Sequence, residues 1–348
     1  MCTFISNWEP IFPLLVKIGS QLLISKVKNF FMIDRLIEFS NSVNLEKFRI
    51  INFPSLIFFC GGIIPAENSE YLSLRHYMYH YFKNNNDGIY KKIILAENVN
   101  DWFRFNHYTN LLSFEKDLAG LTSLIILFVE SPGSIAELGA FSQIEEISKR
   151  LIVFVNTKFY EVDSSFIKYG PLAYLKQESN EIVYVYSWDV KNIKGKEYID
   201  TTNLDTVASE ISEAISSRLG SRPVEYTFDK KNPGHIILLI CDFIQIINIS
   251  KKSDITGLFE HLGLIDVKNN VDKYLFILEK IKLITTFTYG KEEYHISNID
   301  NPLIRYAYMD NSKIKDRMAW KLFLRDWIKK NDKRREYALD YFSRKVVL

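Results

Sequence analysis

The chain has 348 residues, which is enough for two domains, and 47% of them are hydrophobic, which excludes a disordered protein. Its net charge of +2 identifies no partner by itself, so only the distribution of charge is informative. The three cysteines, Cys2, Cys60 and Cys241, exclude a disulfide framework and a zinc site and fit a reducing cytoplasm.

The first fifty residues are predicted to form a helical segment. The start of the chain lacks the basic region of a signal peptide, and the apolar stretch 11–24 is too short and too polar to span a bilayer. Further along, apolar side chains recur at helical spacing, at Leu36, Phe39, Val43 and Phe48. We therefore expect a cytoplasmic protein, not bound to a membrane, in which the stretch 11–24 forms an amphipathic helix packed on the first domain.

Five short apolar runs in residues 51–220 predict the strands of a parallel sheet. They are rich in Ile, Val, Leu and Phe without alternation, and they lie at Ser55–Cys60, Lys91–Ala96, Ser123–Val129, Leu151–Asn156 and Ile182–Tyr186. Helical patterns lie between or after them, at residues 70–83, 109–119, 134–149 and 204–218. The alternation predicts an α/β fold with a doubly wound sheet of the Rossmann or flavodoxin-like type, whose ligands bind outside the carboxyl ends of the strands.

Residues 221–348 show a different order of elements. Three helical stretches, Ile236–Ile247, Asp254–Leu262 and Val271–Ile284, precede two β-prone runs within Thr285–Ser297. Helix, turn, helix and hairpin is the order of a winged helix-turn-helix domain. A last helix at residues 313–345 carries 12 Lys or Arg against 5 Asp or Glu, so it is predicted to be strongly basic.

The segment Ser131–Gly139 (SPGSIAELG), directly after the third predicted strand, is the strongest candidate for chemistry. Gly133 lets a ligand approach the backbone closely, and the free N–H groups at a helix start suit an anion or a sugar hydroxyl. Glu137 is expected in the first turn, facing the strand ends. A carboxylate there can attack, or stabilise, the positive anomeric carbon that forms as a base leaves a ribose.

The same spacing also has a structural interpretation. Ser134-x-x-Glu137 fits a capping box, in which the glutamate side chain accepts a hydrogen bond from the Ser134 N–H. Gly139 in a helix costs about 1 kcal/mol relative to Ala, and close approach of a ligand or a neighbouring strand would explain it. The spacing alone leaves both interpretations open.

The segment SPGSIAELGAF resembles the nucleoside deoxyribosyltransferase motif Asp-x-Gly-Thr/Ser-x-x-Glu-x-Gly, which carries a nucleophilic glutamate. The resemblance implies that Glu137 is the nucleophile. Gly133 and Ser134 match the Gly-Thr/Ser pair, and Ser131 replaces the usual Asp. All three are expected to bind substrate.

Two further segments extend the resemblance, which covers about residues 53–160. Asp117-Leu-Ala-Gly120 is similar to the family's Asp-Leu-x-Gly segment, which implies that Asp117 helps to position or protonate the leaving base. Gly61 and Gly62 match the glycine-containing turn after the first strand, which implies a substrate-binding role.

The whole layout resembles the effector proteins of retron antiphage systems, which join a deoxyribosyltransferase-like domain to a winged-helix domain. The resemblance implies an N-glycosidase toxin that acts on NAD or a related nucleotide, without a cofactor or metal. It further implies control by a complex of reverse transcriptase and its multicopy single-stranded DNA or RNA, and assembly as a homo-oligomer or filament. A nucleotide-sensing, DNA-binding module without catalysis and a true deoxyribosyltransferase remain the alternatives.

Several other polar residues have a functional and a structural interpretation. Glu97 follows the second strand and either binds ribose hydroxyls or is a solvated loop acid; Glu130 either faces the site or ends its strand. Cys60 is expected to be a small core residue. His76 and His80 share a helical face, but without a third ligand they favour packing over metal binding.

Basic residues predict a nucleic-acid or nucleoprotein partner for the C-terminal region. The basic residues expected to contact this partner lie on the predicted helix Val271–Ile284, in the wing of the hairpin and on the last helix. They are Lys280, Lys282, Lys291, Arg325, Lys329, Lys330, Arg334 and Arg335. Trp320 and Trp327 are interleaved with them and either stack on bases or form the core seam of the helix.

Overall fold

The computed structural model describes residues 32–65, 70–95, 97, 107–162, 165–179, 181–193, 195–221 and 223–346. The chain divides into two compact units. The sheet unit comprises residues 51–226 and 231–237, and the terminal unit comprises residues 1–50, 227–230 and 238–348. The stretch 11–24, which is expected to pack on the first domain, lies outside the described residues.

The sheet unit is built on a five-stranded parallel sheet. With elements numbered in chain order, its strands are β2 (Ile57–Cys60), β3 (Ile93–Leu95), β4 (Leu124–Val129), β5 (Leu151–Asn156) and β6 (Val183–Tyr186). They are arranged in the order β3-β2-β4-β5-β6, which is the flavodoxin-like order. This confirms the predicted α/β class, and each of the five predicted strands is present within two residues of its expected bounds.

The sheet lacks an alternating pattern because both of its faces are covered. Every residue of β4 and β5 is buried. On one face Phe128 and Phe154 stack, with ring centroids 5.3 Å apart, in a core that also includes Met78 and Ile211 from two helices. Strands buried on both sides gain from being apolar at every position, which is the pattern that predicted them.

Helices connect these strands. They are α2 (Leu74–Asn85), α3 (Asp87–Tyr90), α4 (Leu111–Ala119), α5 (Pro132–Ser142), α6 (Glu145–Ser148), α7 (Thr157–Tyr160), α8 (Ala173–Glu178) and α9 (Leu204–Gly220), with a short π-helix at Lys168–Leu172. Side chains of Ser73 and Asn110 cap the N-termini of α2 and α4. The single helix predicted at residues 134–149 is interrupted because Ile144 has an extended backbone.

A small hairpin was not predicted. Strands β7 (Val190–Ile193) and β8 (Lys196–Ile199) follow β6 and pair antiparallel. The Ile199 N–H donates to the Tyr71 carbonyl over 2.8 Å, which fixes the hairpin beside the loop that leads into α2. The hairpin therefore stands next to the carboxyl edge of the sheet.

The terminal unit is mainly helical. Its elements are a helix α1 at residues 32–42, strands β1 (Arg49–Ile51) and β12 (Ile304–Arg305), the hairpin β10 (Ile284–Tyr289) and β11 (Glu292–Ser297), and helices α10 (Pro233–Ile247), α11 (Lys252–His261), α12 (Val267–Lys280), α13 (Arg317–Asn331) and α14 (Lys333–Val346). Strand β9 (Glu225–Thr227) lies partly in each unit, as do β1, through Ile51, and α10, through residues 233–237. The order α10, α11, α12 and hairpin is the predicted one, while the assignment of a winged-helix domain stays a prediction.

The last helix is divided in two at Asp332, whose side chain accepts a hydrogen bond from the Arg335 N–H. Phe39 of α1 packs in the core of this unit against Phe243, Tyr306 and Trp320. Trp320 is thus a core residue. Every helix among the described residues is too short or too polar to cross a bilayer.

Candidate active site

Helix α5 begins two residues before the predicted start. Ser131 is its N-cap and accepts a hydrogen bond from the Ser134 N–H, while the Ser134 hydroxyl accepts bonds from the N–H groups of Glu130 and Ser131. Pro132 takes the first helical position, where its missing N–H is harmless. The capping box therefore joins Ser131 to Ser134, and the structural interpretation of Glu137 as a capping residue is wrong.

Glu137 is the sixth residue of α5, so it lies in the second turn and not, as expected, in the first. Its Oε2 atom is buried and has no hydrogen-bond partner among the described residues. Burial raises the pKa of Glu137 to about 7, with the charge of Arg75 acting in the opposite direction and that of Glu97 adding to the rise. A carboxylate that is desolvated without a partner is available to a ligand.

A second buried carboxylate shares this environment. Glu115 of α4 is buried, and burial together with the charge of Glu137 raises its pKa to about 8. The thiol of Cys60 senses both glutamates as well as Arg75 and Glu97, although burial is the main reason that its pKa is raised. We call Glu137, Glu115, Glu97 and Arg75 the acid cluster.

Arg75 organises the acid cluster, and the sequence analysis did not identify it. Its guanidinium forms a two-pronged ion pair with Glu97, with N–O distances of 2.5 and 2.8 Å. It also donates to the carbonyls of Phe59 and Gly62 at the end of β2. The sequence feature that could have identified Arg75 is its position near the start of the predicted helix 70–83, because the N-terminus of that helix lies at the carboxyl ends of the strands.

Glu130 holds the turns at the sheet edge together. Its carboxylate accepts the backbone N–H groups of Gly62, Leu74 and Arg75 over 3.1, 2.7 and 3.1 Å. Burial raises its pKa, while these three hydrogen bonds favour the ionised form. Glu130 therefore ends its strand and also joins the turn after β2 to the start of α2.

Gly61 and Gly62 are required by packing. Gly61 has φ +141°, and a Cβ there would lie 2.9 Å from Phe128. A Cβ on Gly62 would lie 2.6 Å from that of Ser73. By contrast, a Cβ on Gly139 would have no atom within 4 Å, so the described residues provide no neighbouring strand that explains this glycine.

Asp117 lies on the same helix as Glu115 but on another face. It is buried and accepts a hydrogen bond of 3.0 Å from the Tyr108 hydroxyl. Because α-helical residues two positions apart point in roughly opposite directions, Glu115 rather than Asp117 faces Glu137. The role expected for Asp117 stays a prediction.

A cavity of about 460 Å³ lies at the same edge of the sheet. Of the predicted substrate-binding residues, Gly62 and Ser131 line it; Glu137 lies six residues beyond Ser131 on α5 and does not. Glu97 is in the acid cluster, with 40% of its side chain exposed, and Gly133 and Ser134 belong to the first turn of α5.

The histidine pair is explained by packing. The rings of His76 and His80 lie 5.0 Å apart and pack against Tyr71, and burial lowers the pKa of His76 to about 4. Among the described residues no group of three or more His, Cys, Asp or Glu side chains could hold a metal ion.

In the terminal unit most of the predicted basic residues are accessible. Exposed ones are Lys282, Lys291, Arg325, Lys329, Lys330 and Arg334, and Lys280 is half-buried. Arg335 corrects the prediction, because its guanidinium is buried and donates to Asp254 over 2.6 Å. A buried, ion-paired arginine is not available to a phosphate.

The sheet order and the acid cluster define an α/β protein with paired glutamates at its strand ends. Residues 71–286 match the family described as STM3845 retron effector protein. Because the match covers more than half of the chain, the protein belongs to this family of retron effectors.

Two curated relatives from Escherichia coli are similar. One is the "Retron Ec73 putative ribosyltransferase/DNA-binding protein", which is 30% identical over 55% of this chain and 66% of its own length. The other is the "Retron Ec86 putative ribosyltransferase/DNA-binding protein", 35% identical over 39% of this chain and 42% of its own length. The chain thus spans less than two thirds of each relative.

Proposed function

We propose that the protein is the N-glycosidase toxin of a retron antiphage system and that it hydrolyses NAD or a related nucleotide. The observation that carries the proposal is the carboxylate of the half-buried Glu137, whose Oε2 atom is buried and has no partner among the described residues. The names of the relatives, which include a ribosyltransferase activity, support glycosyl chemistry. No cofactor is needed for it.

In the proposed reaction the ionised Glu137 attacks the anomeric carbon of the ribose. The bond from this carbon to the base breaks, and its electron pair stays on the base nitrogen. Water then attacks the same carbon, releases Glu137 and loses a proton to solvent or to a neighbouring carboxylate. With a pKa of about 7, Glu137 is ionised in a large fraction of molecules at neutral pH.

The nature of the leaving base decides whether an acid is also needed. Nicotinamide leaves NAD as a neutral molecule without a proton, because its ring nitrogen is positively charged in the substrate. A purine leaves as an anion unless it is protonated. Glu115, which is mostly protonated at neutral pH, could supply that proton, and Asp117 is the other candidate.

Arg75 and Glu97 have proposed roles beside the nucleophile. The charge of Arg75 favours the ionised form of Glu137, so it keeps the nucleophile active. We propose that the carboxylate of Glu97, which is 40% exposed and ion-paired with Arg75, accepts hydrogen bonds from ribose hydroxyls.

The terminal unit is proposed to carry the control of the enzyme. Its helix–helix–hairpin order fits a winged-helix domain, and the guanidinium of Arg334 lies beside Gly290 at the hairpin tip, next to Lys291. These charges suit phosphates, and the relatives' names include DNA binding. We propose that they contact a complex of reverse transcriptase and its single-stranded DNA in the cytoplasm, and that homo-oligomers or filaments form there.

The test is nicotinamide release from NAD by the purified protein without partners. Glu137→Gln is expected to slow release by at least about 10³-fold, because glutamine cannot act as the nucleophile. Glu145→Gln, at an exposed glutamate of α6, is the matched control and should retain full activity. Equal release from Glu137→Gln and wild type contradicts the proposal.

The two alternatives are distinguished by further measurements. A nucleotide sensor binds NAD without releasing nicotinamide, and it does not poison its host. A true deoxyribosyltransferase, given a deoxynucleoside and a second free base, makes a new nucleoside that chromatography detects.

A further inference from the structure

The cavity at the sheet edge is enclosed by separate parts of the sheet unit. The turn after β2 contributes Gly62, the start of α5 contributes Ser131, and the end of β5 is followed by Lys158. The hairpin β7–β8 and the residues before it close the cavity with Lys196 and Trp188, among others. A volume of about 460 Å³ is in the range of small-molecule sites.

The cavity and the acid cluster share a wall. Glu130 lines the cavity, and its Oε1 accepts the N–H of Arg75, whose side chain belongs to the acid cluster. Along α5, the step from Pro132 at the cavity to Glu137 is about 8 Å at the rise of an α-helix. This is similar to the distance from the anomeric carbon of a nucleotide to the phosphates on its 5′ side.

Two cations from different elements line the cavity. Lys158 and Lys196 are exposed, and among the described residues neither has a carboxylate within ion-pair distance. Of the two acids in the lining, Glu130 is held by three N–H groups and lies close to the charge of Arg75, and Glu197 is exposed. The lining therefore has two lysines and two glutamates, and Glu130 is already held by backbone N–H groups while the two lysines have no described carboxylate partner.

The rest of the lining suits a flat, mostly apolar group. Trp188 is buried, Tyr198 is half-buried, and Leu72, Val190 and Ile199 add aliphatic surface. Aromatic side chains of this kind stack on nucleobases, with a contribution of about 1–3 kcal/mol per base.

We propose that this cavity binds the distal half of a pyrophosphate-linked dinucleotide, with Lys158 and Lys196 on the phosphates and Trp188 and Tyr198 against the second base. The proposal rests on the proposed function, since it takes the scissile ribose to lie at Glu137. It makes the substrate class a dinucleotide and not a free nucleoside. The two lysines are then specificity residues that do not touch the reacting atoms.

The test measures binding to the full chain by calorimetry, in a Glu137→Gln background so that no ligand is consumed. The ligands are NAD, nicotinamide mononucleotide, which lacks the adenylate half of NAD, and nicotinamide riboside, which also lacks the remaining phosphate. We expect NAD to bind at least about 10-fold more tightly than the riboside, which corresponds to about 1.4 kcal/mol. Lys158→Gln and Lys196→Gln should each remove much of this difference and leave riboside binding unchanged.

The matched control is Lys191→Gln on the same hairpin, where the lysine is ion-paired with Asp200 and does not line the cavity. It should bind all three ligands like the parent. Equal affinity for NAD and the riboside, or lysine variants that behave like the control, overturns the inference. If wild type still releases nicotinamide, such a result leaves the proposed N-glycosidase function intact. If nicotinamide is not released although the affinities differ as expected, only the proposed catalysis at Glu137 is contradicted.

Discussion

Buried charge occurs in both units, but it is arranged in different ways. In the terminal unit Asp254 accepts bonds from Arg335 and from the Lys251 N–H, and Asp242 accepts from Tyr306, Leu303 and Arg317. In the sheet unit the charge of Glu137 raises the cost of ionising Glu115, and Oε2 of Glu137 has no described partner. Burial of charge alone therefore does not identify a site.

Breaking the buried ion pair between Asp254 and Arg335 is expected to give the largest loss of stability. Asp254→Ala leaves the Arg335 guanidinium buried without its main partner, and this should lower the free energy of unfolding by about 3–5 kcal/mol. Urea unfolding followed by circular dichroism measures it. Asp272→Ala, which removes an exposed ion pair with Lys252, is the control and should cost less than about 1 kcal/mol. Equal decreases in the free energy of unfolding for Asp254→Ala and Asp272→Ala would contradict this prediction.

Loss of Glu115 should depend on the substrate. With a dinucleotide whose scissile base is a purine, Glu115→Gln is expected to lower kcat by about 10²-fold if Glu115 protonates the leaving base. With NAD the decrease should be below about 10-fold, since nicotinamide needs no proton. Asp117→Asn, measured beside it by chromatography of the released bases, tells which carboxylate acts. A large decrease for Asp117→Asn alone would assign the acid to Asp117.

The acid cluster should also make the stability of the folded protein depend on pH. Glu115 has a pKa of about 8 in the folded protein, above its unfolded value, so its contribution is present at low pH and is lost as pH rises through about 8. Glu115→Gln cannot ionise, so its Tm should fall less than that of wild type between pH 5 and 8.5, by roughly 2–4 °C. An identical decrease in Tm for both proteins would show that burial does not disfavour the ionised form of Glu115.

The smallest effect is expected at Gly139. Because a Cβ there meets no described atom, Gly139→Ala should stabilise the protein by about 0.5–1 kcal/mol through helix propensity. If a ligand approaches this position, the KM for NAD should rise at the same time. An unchanged KM combined with higher stability would exclude Gly139 from the binding surface.

Most of the fold could be predicted because parallel strands have a local signature. Runs such as Leu124–Val129 are apolar at every position, and both faces of the sheet are covered. The hairpin β7–β8 could not be predicted, since Val190–Ile193 and Lys196–Ile199 are largely exposed and mix charged with apolar residues. The break of the last helix at Asp332 likewise lacks a proline or glycine signal.

The candidate site was predicted only in part, since its geometry depends on packing between distant segments. Glu137 follows from one motif, but Arg75, Glu97 and Glu115, whose charges interact with its own, come from three other segments of the sheet unit. The capping box shows the limit of spacing arguments, because Ser134 could pair with Glu137 or with Ser131 and only the start of the helix decides. Burial of Arg335 also depends on tertiary contacts that its basic surroundings conceal.

The position of the cysteines offers a way to follow each unit separately. Cys60 is buried in the sheet unit and Cys241 in the terminal unit, and burial raises the pKa of both thiols. An alkylating reagent can therefore modify either thiol only when the unit around it opens. In a Cys2→Ser background, mass spectrometry of the two labelled peptides would report the opening rate of each unit within one intact chain.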